Sequence, residues 1–246
     1  MMQKLFFTII ITTIMLISSC NPSQNIEIQG HRGCRGLMPE NTIPAFLEAC
    51  RLGVHTLEMD VVISADGSVI VSHEAFFNHE ISTSPFEVPI SKENEKEFNI
   101  YTMTTPTIRS FDVGMKVHQR FPDQKKIEAY KPTLSEVVNA VTKAGYDPQY
   151  NIEIKRTPEG DDIYHPSAFS FTSKVVEEII ALGIADKTTV QSFDHDCVNY
   201  IKAIDNNLKT VILVEDENDL DWHLAQLDHV PYAYSPYYKF VNQALV

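Results

Sequence analysis

Strand-like and helix-like segments alternate along most of this chain, and this alternation limits the folds that it can adopt. Apolar, β-rich runs such as 56–63 (TLEMDVVI), 150–155 (YNIEIK) and 209–214 (KTVILV) are separated by segments with helical periodicity. Repeated strand–helix units are typical of a parallel sheet flanked by helices. With 246 residues, 43% of them hydrophobic, the chain is long and apolar enough for one α/β domain.

Two segments carry the clearest helix signals. In 42–53 (TIPAFLEACRLG), apolar residues fall at i, i+3, i+4 and i+7, and a glycine ends the run. In 133–145 (TLSEVVNAVTKAG), Thr133 and Glu136 have the spacing of a capping box, and a glycine again ends the pattern. A further helix is predicted over 174–182.

Residues 75–130 interrupt the alternation. This stretch is rich in Pro, Ser, Thr and charged residues and shows little periodicity. A structureless loop of that length is unusual inside a compact domain. We therefore predict an insertion that packs over one end of the sheet.

The N-terminus has the pattern of a secretory signal. Lys4 precedes the apolar run LFFTIIITTIMLI, which is shorter than the ~20 residues that a membrane-spanning helix needs. The ending Ile-Ser-Ser-Cys resembles the lipobox of bacterial lipoproteins, which implies that Cys20 is lipidated once residues 1–19 are removed. We expect a protein held in the bacterial cell envelope by a lipid anchor, with 20–25 as linker and 26–246 as the domain. The alternative is an ordinary signal peptide with an incidental cysteine.

Charge restricts the ligands that the domain can bind. The chain has 20 Lys and Arg against 33 Asp and Glu, a formal net charge of −13. Such an acidic chain is not expected to bind nucleic acid, because phosphate affinity depends on clustered cations. An anionic substrate would need a local cation or metal inside a cleft.

Three cysteines remain when Cys20, the predicted anchor position, is set aside. The spacing of Cys34, Cys50 and Cys197 matches no zinc pattern, and an odd number cannot all pair. Cys50 falls on the apolar face of a predicted helix, where a small buried thiol is expected. An oxidising compartment would permit a Cys34–Cys50 disulfide, and the sequence leaves that pairing open.

Polar residues gather where predicted strands end. Four such clusters occur, and in an α/β barrel the carboxyl ends of the strands carry the catalytic residues. The clusters are His31-Arg32, Glu58 with Asp60, His73-Glu74, and Glu153 with Lys155.

The acidic residues suggest a metal site. Glu58 and Asp60 are two apart in a predicted strand, so both project to one side, and enclosing two carboxylates there is costly without compensation. Together with Glu153 they could hold a hard divalent cation through oxygen ligands. The alternative is that each acid pairs with a basic neighbour in an ordinary salt bridge.

The basic residues of the clusters suggest acid–base chemistry on a phosphate. Two imidazoles, His31 and His73, could divide the acid and base roles near neutral pH. Arg32 and Lys155 could neutralise a phosphate held between them.

Several motifs, in order, resemble those of the glycerophosphodiester phosphodiesterases. They are GHRG, PENT, E-x-D, H-E, NIEIK and QSFD, spread over 26–236. The resemblance implies a TIM (β/α)8-type barrel with an insertion after the strand that carries the second histidine. It also implies hydrolysis of a glycerophosphodiester to sn-glycerol 3-phosphate and an alcohol, with Ca²⁺ or Mg²⁺ as cofactor.

The resemblance assigns roles by matching position. His31 and His73 are the acid/base pair, the metal ligands are the three acids above, and Arg32 and Lys155 contact phosphate. Glu40 and Asn41 lie at the mouth of the first βα loop and orient the site, and Phe193 helps to line it. Head-group preference, the order of the two histidines and the oligomeric state are left open.

The chain departs from the family pattern at its end. The family normally continues with a helix, a strand and a closing Asp-Gly segment, for which no counterpart precedes Val246. A barrel without its last strand exposes hydrogen-bonding edges. The sequence is therefore predicted to be an incomplete copy of a longer protein, or to encode a poorly stable one.

Two other functions are alternatives to the hydrolysis of glycerophosphodiesters. One is an envelope lipoprotein that binds glycerophosphodiesters without turning them over. The other is a phospholipase D of the sphingomyelinase type, which shares the paired histidines and the acidic metal ligands.

Overall fold

The computed structural model describes residues 26–241. The predicted signal peptide, the lipidation of Cys20 and the last five residues lie outside this range. Within it, no helix is long and apolar enough to cross a bilayer.

A curled sheet of seven strands forms the centre of the domain, with the six parallel strands in the order β1-β2-β4-β5-β6-β7. The predicted barrel-type α/β architecture is thereby confirmed. Within 26–241, β1 and β7 are the outer strands and do not pair with each other. The strands are β1 Gln29–Gly30, β2 Thr56–Ile63, β3 Val69–Val71, β4 Gln149–Ile154, β5 Thr188–Ser192, β6 Lys209–Val214 and β7 Ala233–Pro236.

Six α-helices lie in the connections between strands and in the insertion. They are α1 Ile43–Arg51, α2 Thr105–Arg109, α3 Leu134–Lys143, α4 Ala168–Ala181, α5 His195–Ile204 and α6 Leu220–Ala225. Short 3-10 turns occupy Glu95–Glu97, Ile100–Thr102, Pro158–Gly160, Ala185–Lys187 and Tyr238–Phe240.

Local sequence signals explain where the helices begin. The predicted capping box of α3 is present: the Thr133 hydroxyl accepts from the Glu136 N–H, and the Glu136 carboxylate accepts from the Thr133 N–H. The next helix, α4, begins at Ala168, six residues before the predicted start. Its added first turn is buried through Ala168 and Phe171, so packing against the core extends the helix beyond the periodic segment.

The first strand covers only Gln29 and Gly30 of the β-rich run 26–31 (IEIQGH). β1 pairs only with the first two residues of β2, Gln29 with Thr56 and Gly30 with Leu57. Ile26 precedes this pairing and remains 80% exposed. The β-rich composition of 26–28 therefore does not produce strand pairing beyond β1.

The main core fills the space between the sheet and its helices. Buried side chains of the strands, such as Met59, pack against Phe46 of α1 and Phe171 of α4. At roughly 25 cal/mol per Å² of apolar surface, this burial is the main stabilising term of the fold.

Residues 75–130 form a smaller core of their own. Phe77 and Phe111 stack with ring centroids 3.9 Å apart, and Ile100 and Ile108 surround them. This cluster packs onto Val62 of β2 and Ile70 of β3, which fixes the insertion beside the strand that leads to His73.

His73 follows β3, which is antiparallel to β2, with Val71 opposite Val61. The turn between the two strands is too short for the crossover of a dozen or more residues that parallel strands need, so a hairpin forms. The hairpin returns the chain along β2, and the Ser72 N–H donates to the Asp60 carbonyl at 2.9 Å.

The cysteines of the described region are all free. Cys50 is buried in α1, as predicted, whereas the Cys34–Cys50 disulfide that the sequence permitted is not formed. The Cys34 thiol instead donates to the Ala45 carbonyl at 3.2 Å.

Candidate active site

Three buried carboxylates from two adjacent parallel strands form the centre of the site. Glu58 and Asp60 project from β2 and Glu153 from β4, and the sheet register places Asp60 opposite Glu153. One oxygen from each acid lies within 4.8 Å of the others. The convergence predicted for these three acids is thus present in the structure.

Burial makes this group of carboxylates unfavourable as it stands. Burial and the neighbouring Asp60 charge hold the pKa of Glu58 well above its usual range, and the pKa of Glu153 is raised for the same reasons. Burial alone would also raise the pKa of Asp60, but Arg32, His73 and Lys155 outweigh it and lower that pKa. The Asp60 Oδ1 atom is buried and has no hydrogen-bond partner among residues 26–241.

Two cations neutralise part of the acidic charge. The Arg32 Nε lies 3.2 Å from Asp60 Oδ2, and Lys155 Nζ donates to Glu153 Oε1 at 2.7 Å. For these two acids the salt-bridge alternative is therefore realised. For Glu58, no Lys or Arg side-chain nitrogen lies within 4.0 Å in the part of the chain that the structure describes.

The β1–α1 loop holds Arg32 in place. Arg32 adopts a left-handed conformation with φ of 52°, and its backbone N–H donates to Glu58 Oε2 at 2.8 Å. The next residue must be glycine, since Gly33 has φ of +83° and a Cβ there would lie 2.8 Å from the Ala45 backbone. The loop thereby presents both the backbone and the side chain of Arg32 to the acids.

Glu40 and Asn41 contact the site from behind. Glu40 Oε1 accepts from Arg32 Nη1 at 2.7 Å, and Asn41 Nδ2 donates to Asp60 Oδ2 at 2.8 Å. Both residues are buried, which differs from the predicted position at the mouth of the first βα loop. Their contacts orient Arg32 and Asp60.

The two predicted histidines contact different residues of the site. His31 is largely exposed, with Nε2 3.9 Å from Glu58 Oε2. Partial burial and the charges of Arg32 and Arg35 lower the pKa of His31 to about 4. His73 faces Glu74 through Nδ1 at 2.7 Å and Lys155 through Nε2 at 3.1 Å, so its two ring nitrogens have different partners.

Glu74 is a carboxylate with a lowered pKa that accepts a hydrogen bond from His73. Burial would raise its pKa, but the hydrogen bond and charge of His73, with the nearby Lys131, lower the pKa of Glu74 to about 2. The carboxylate on Nδ1 fixes the orientation of the ring and directs Nε2 at the Lys155 ammonium.

A cleft of about 780 Å³ opens beside these groups. Phe193 is 44% exposed at its wall, and Lys155 Nζ lies 5.8 Å from the centre of the Phe193 ring. Six of the predicted site residues line the cleft: His31, Arg32, His73, Glu153, Lys155 and Phe193.

Sequence reasoning did not single out two polar residues behind the site. Gln191 of β5 donates to Glu58 Oε1 at 3.4 Å and accepts from Asn151 at 3.0 Å. Lys131 is buried and donates to the Ser72 hydroxyl at 2.7 Å, next to His73. The QSFD motif, which begins at Gln191, was the available signal for the first, whereas nothing local marked the lysine as buried.

Comparison with known proteins identifies relatives in sequence. The model of the glycerophosphoryl diester phosphodiesterase family matches residues 31–243. A glycerophosphodiester phosphodiesterase of Caldanaerobacter subterraneus subsp. tengcongensis is 26% identical over 216 residues, 88% of this chain and 77% of that protein. A protein of the same name from Bacillus subtilis is 25% identical over 222 residues, 87% of this chain and 69% of that protein.

Solved structures agree on the fold. A provisionally named glycerophosphoryl diester phosphodiesterase from Silicibacter pomeroyi superposes with a TM-score of 0.77 at 24% identity, covering 89% of this chain and 77% of its own. An Oleispira antarctica phosphodiesterase in complex with the product sn-glycerol-3-phosphate has a TM-score of 0.67 at 19% identity, covering 88% and 77%. Since the family model spans most of the chain, this protein belongs to the glycerophosphoryl diester phosphodiesterase family.

Proposed function

We propose that this protein hydrolyses glycerophosphodiesters to sn-glycerol 3-phosphate and an alcohol, with a divalent cation and two histidines. The observation that carries the proposal is the buried group of three carboxylates beside a cleft that also exposes two imidazoles and two cations. Relatives named for this activity and a structural neighbour that holds this product support the choice of substrate.

The acids are suited to a hard cation. Ca²⁺ and Mg²⁺ prefer oxygen ligands, and the buried Asp60 Oδ1, which lies 3.9 Å from Lys155 Nζ but accepts no hydrogen bond from the described residues, is an available ligand atom. Glu58 and Glu153, whose charged forms are disfavoured by burial and by Asp60, would be stabilised as anions by such an ion. When bound, the cation supplies Lewis-acid stabilisation of charge on a phosphoryl oxygen.

The cations of the chain would bind the phosphate. Lys155 lines the cleft between His73 and Glu153, and Arg32 reaches the same cleft from the β1–α1 loop. Both make charge-assisted hydrogen bonds to oxygens here, the kind of bond that orients a phosphodiester. Glu40 and Asn41 keep Arg32 and Asp60 in position for that task.

The histidines would move the protons. One imidazole removes a proton from the attacking hydroxyl, which is water or the glycerol 2-OH of the substrate. The second imidazole protonates the departing alcohol oxygen as its P–O bond breaks. When the 2-OH attacks, a cyclic phosphate forms, and water then opens it to glycerol 3-phosphate with the two proton transfers reversed.

Incubation with glycerophosphocholine tests this reaction. We expect release of glycerol 3-phosphate and choline, measured by mass spectrometry, and its loss in EDTA with recovery on adding Ca²⁺ or Mg²⁺. Phosphocholine and glycerol as products would place the cleavage on the other side of phosphorus and contradict the proposal. Saturable binding of glycerophosphocholine without any product would favour the non-catalytic binding protein. Cleavage of intact lysophosphatidylcholine in preference would favour the sphingomyelinase-type enzyme.

We further propose that Cys20 carries a lipid anchor in the bacterial envelope. Support comes from the basic residue, apolar run and Ile-Ser-Ser-Cys ending of the N-terminal sequence. In a bacterial host, tritiated palmitate should label the parent, and globomycin should cause the unprocessed precursor to accumulate. Cys20→Ala should abolish the label, whereas Cys34→Ala serves as the matched control and should retain it. Label that persists in Cys20→Ala would contradict the proposal.

A further inference from the structure

A surface at the catalytic end of the sheet differs in charge from the rest of the molecule. Residues 114–127 contain four Lys or Arg residues and one Asp, a net charge of +3, in a chain of net charge −13. Among them, Arg120, Lys125 and Lys126 are exposed. None of these three has a carboxylate within 4.0 Å in the part of the chain that the structure describes.

Exposed apolar side chains lie among these cations. Leu37 is 53%, Met115 48% and Val117 53% exposed. We call the six residues the basic–apolar patch: Leu37, Met115, Val117, Arg120, Lys125 and Lys126.

The segments that carry the patch are fixed to one another. Lys125 N–H donates to the Leu37 carbonyl at 2.9 Å, and Ile127 N–H donates to the Gly114 carbonyl at 3.2 Å. The Gln124 amide donates to the carbonyls of Arg35 and Met38 at 2.7 and 2.9 Å. The patch is therefore one preformed surface built from two distant stretches of chain.

The ring of Phe121 holds two of the cationic residues of this region. The guanidinium of Arg35 lies 5.2 Å and that of Arg120 5.5 Å from the ring centre. Arg35 also bridges to Glu40, which holds Arg32 of the candidate site. The patch thus lies at the end of the sheet where the cleft opens.

We propose that the basic–apolar patch docks on the surface of an anionic lipid bilayer. Cations attract acidic head groups, and apolar side chains between them enter the boundary between head groups and acyl chains. A nucleic-acid site would instead combine cations with exposed aromatic stacking surfaces, and Phe121 is covered by the two arginines. This proposal does not depend on the proposed activity.

The geometry is compatible with the proposed anchor. Gln29 at the start of β1 is nine steps along the chain from Cys20, and nine fully extended residues span about 30 Å. The eight residues of β2 rise about 26 Å along the sheet. An anchor at Cys20 would therefore let the domain lie with its catalytic end on the same bilayer.

A fluorescent label that responds to an apolar environment tests whether the patch itself contacts the bilayer, even when the N-terminal segment also binds the membrane. In the full chain, Cys20→Ser and Cys34→Ser remove two cysteines, and the two that remain, Cys50 and Cys197, are buried. The substitution Gln119→Cys then provides one exposed thiol beside the patch for a nitrobenzoxadiazole label. Vesicles of equal parts phosphatidylcholine and phosphatidylglycerol should increase and blue-shift its emission, and pure phosphatidylcholine should do so much less. The same label at Val230→Cys, which is exposed before β7 at the other end of the sheet, should not respond.

Charge-neutralised variants complete the test. A triple variant replaces the three exposed cations of the patch by glutamine: Arg120→Gln, Lys125→Gln and Lys126→Gln. The ratio of membrane-docked to undocked protein, read from the label, should fall roughly 100-fold, because each cation near an anionic surface adds to binding. Lys92→Gln, Lys96→Gln and Lys143→Gln remove three exposed cations elsewhere and should leave the response unchanged. No response to anionic vesicles, an equal response at Val230→Cys, or an equal response to duplex DNA would overturn the proposal.

Discussion

Replacing His31 or His73 by Ala is expected to reduce kcat for glycerophosphocholine by a factor of roughly 10²–10⁴. His73 should show the larger loss, since Glu74 and Lys155 fix both of its ring nitrogens and a substituted side chain restores neither contact. The double variant should be only slightly worse than the poorer single variant, because groups that act as a unit are strongly non-additive. Steady-state kinetics on purified protein provides the measurement.

A matched histidine separates catalysis from structure in this experiment. His79 is partly exposed like His73, and its Nδ1 contacts Glu95 at 2.6 Å as His73 contacts Glu74. It lies in the insertion, away from the three acids, so His79→Ala should keep kcat near that of the parent. If His31→Ala and His73→Ala also retain kcat within about fivefold, far less than acid–base catalysis normally contributes, the two-histidine mechanism is wrong.

The acidic centre of the site could be predicted because it depends on local geometry. Alternation along β2 places Glu58 and Asp60 on one side, and parallel pairing with β4 brings Glu153 beside them. His73 was predicted for the same site because it follows a predicted strand. Its approach to Asp60 comes from an antiparallel hairpin, whose pairing direction the strand pattern alone does not define.

Contacts that arise from tertiary burial could not be predicted. Arg32 was expected to face phosphate, but the structure also pairs it with Glu40 and Asp60 in a largely buried position. Lys131 lies in an unremarkable stretch before a helix, and only the packing of the insertion against β3 buries it next to Ser72. The basic–apolar patch likewise joins the β1–α1 loop to a segment some eighty residues later, so its continuity is a property of the fold.

Glu58→Gln is expected to be at least as stable as the parent without a divalent cation and less stable than the parent when the cation is bound. In EDTA the variant should be at least as stable as the parent, because burial and Asp60 disfavour the charged carboxylate and raise its folded pKa. An acid with a raised folded pKa loses stability as pH rises through that pKa, and the neutral amide avoids this loss. At saturating Ca²⁺ or Mg²⁺ the order should invert, since the variant has lost a ligand. Its kcat should also fall by roughly 10²-fold or more, by loss of Lewis-acid stabilisation.

Differential scanning fluorimetry measures the stability part of this prediction. A cation at about 100 times its Kd stabilises the folded parent by about 2.7 kcal/mol, which for a domain of this size corresponds to a Tm rise of roughly 5–10 °C. Glu178→Gln is the matched control, because Glu178 is also a carboxylate whose pKa burial raises, but it accepts from the Ser135 N–H on the helical side of the domain. Glu178→Gln should keep the full cation-dependent rise, and Glu58→Gln should lose most of it. If the parent shows no rise, or Glu58→Gln shows the same rise, the three carboxylates do not form the metal site, and their charge must be balanced by Arg32 and Lys155 alone.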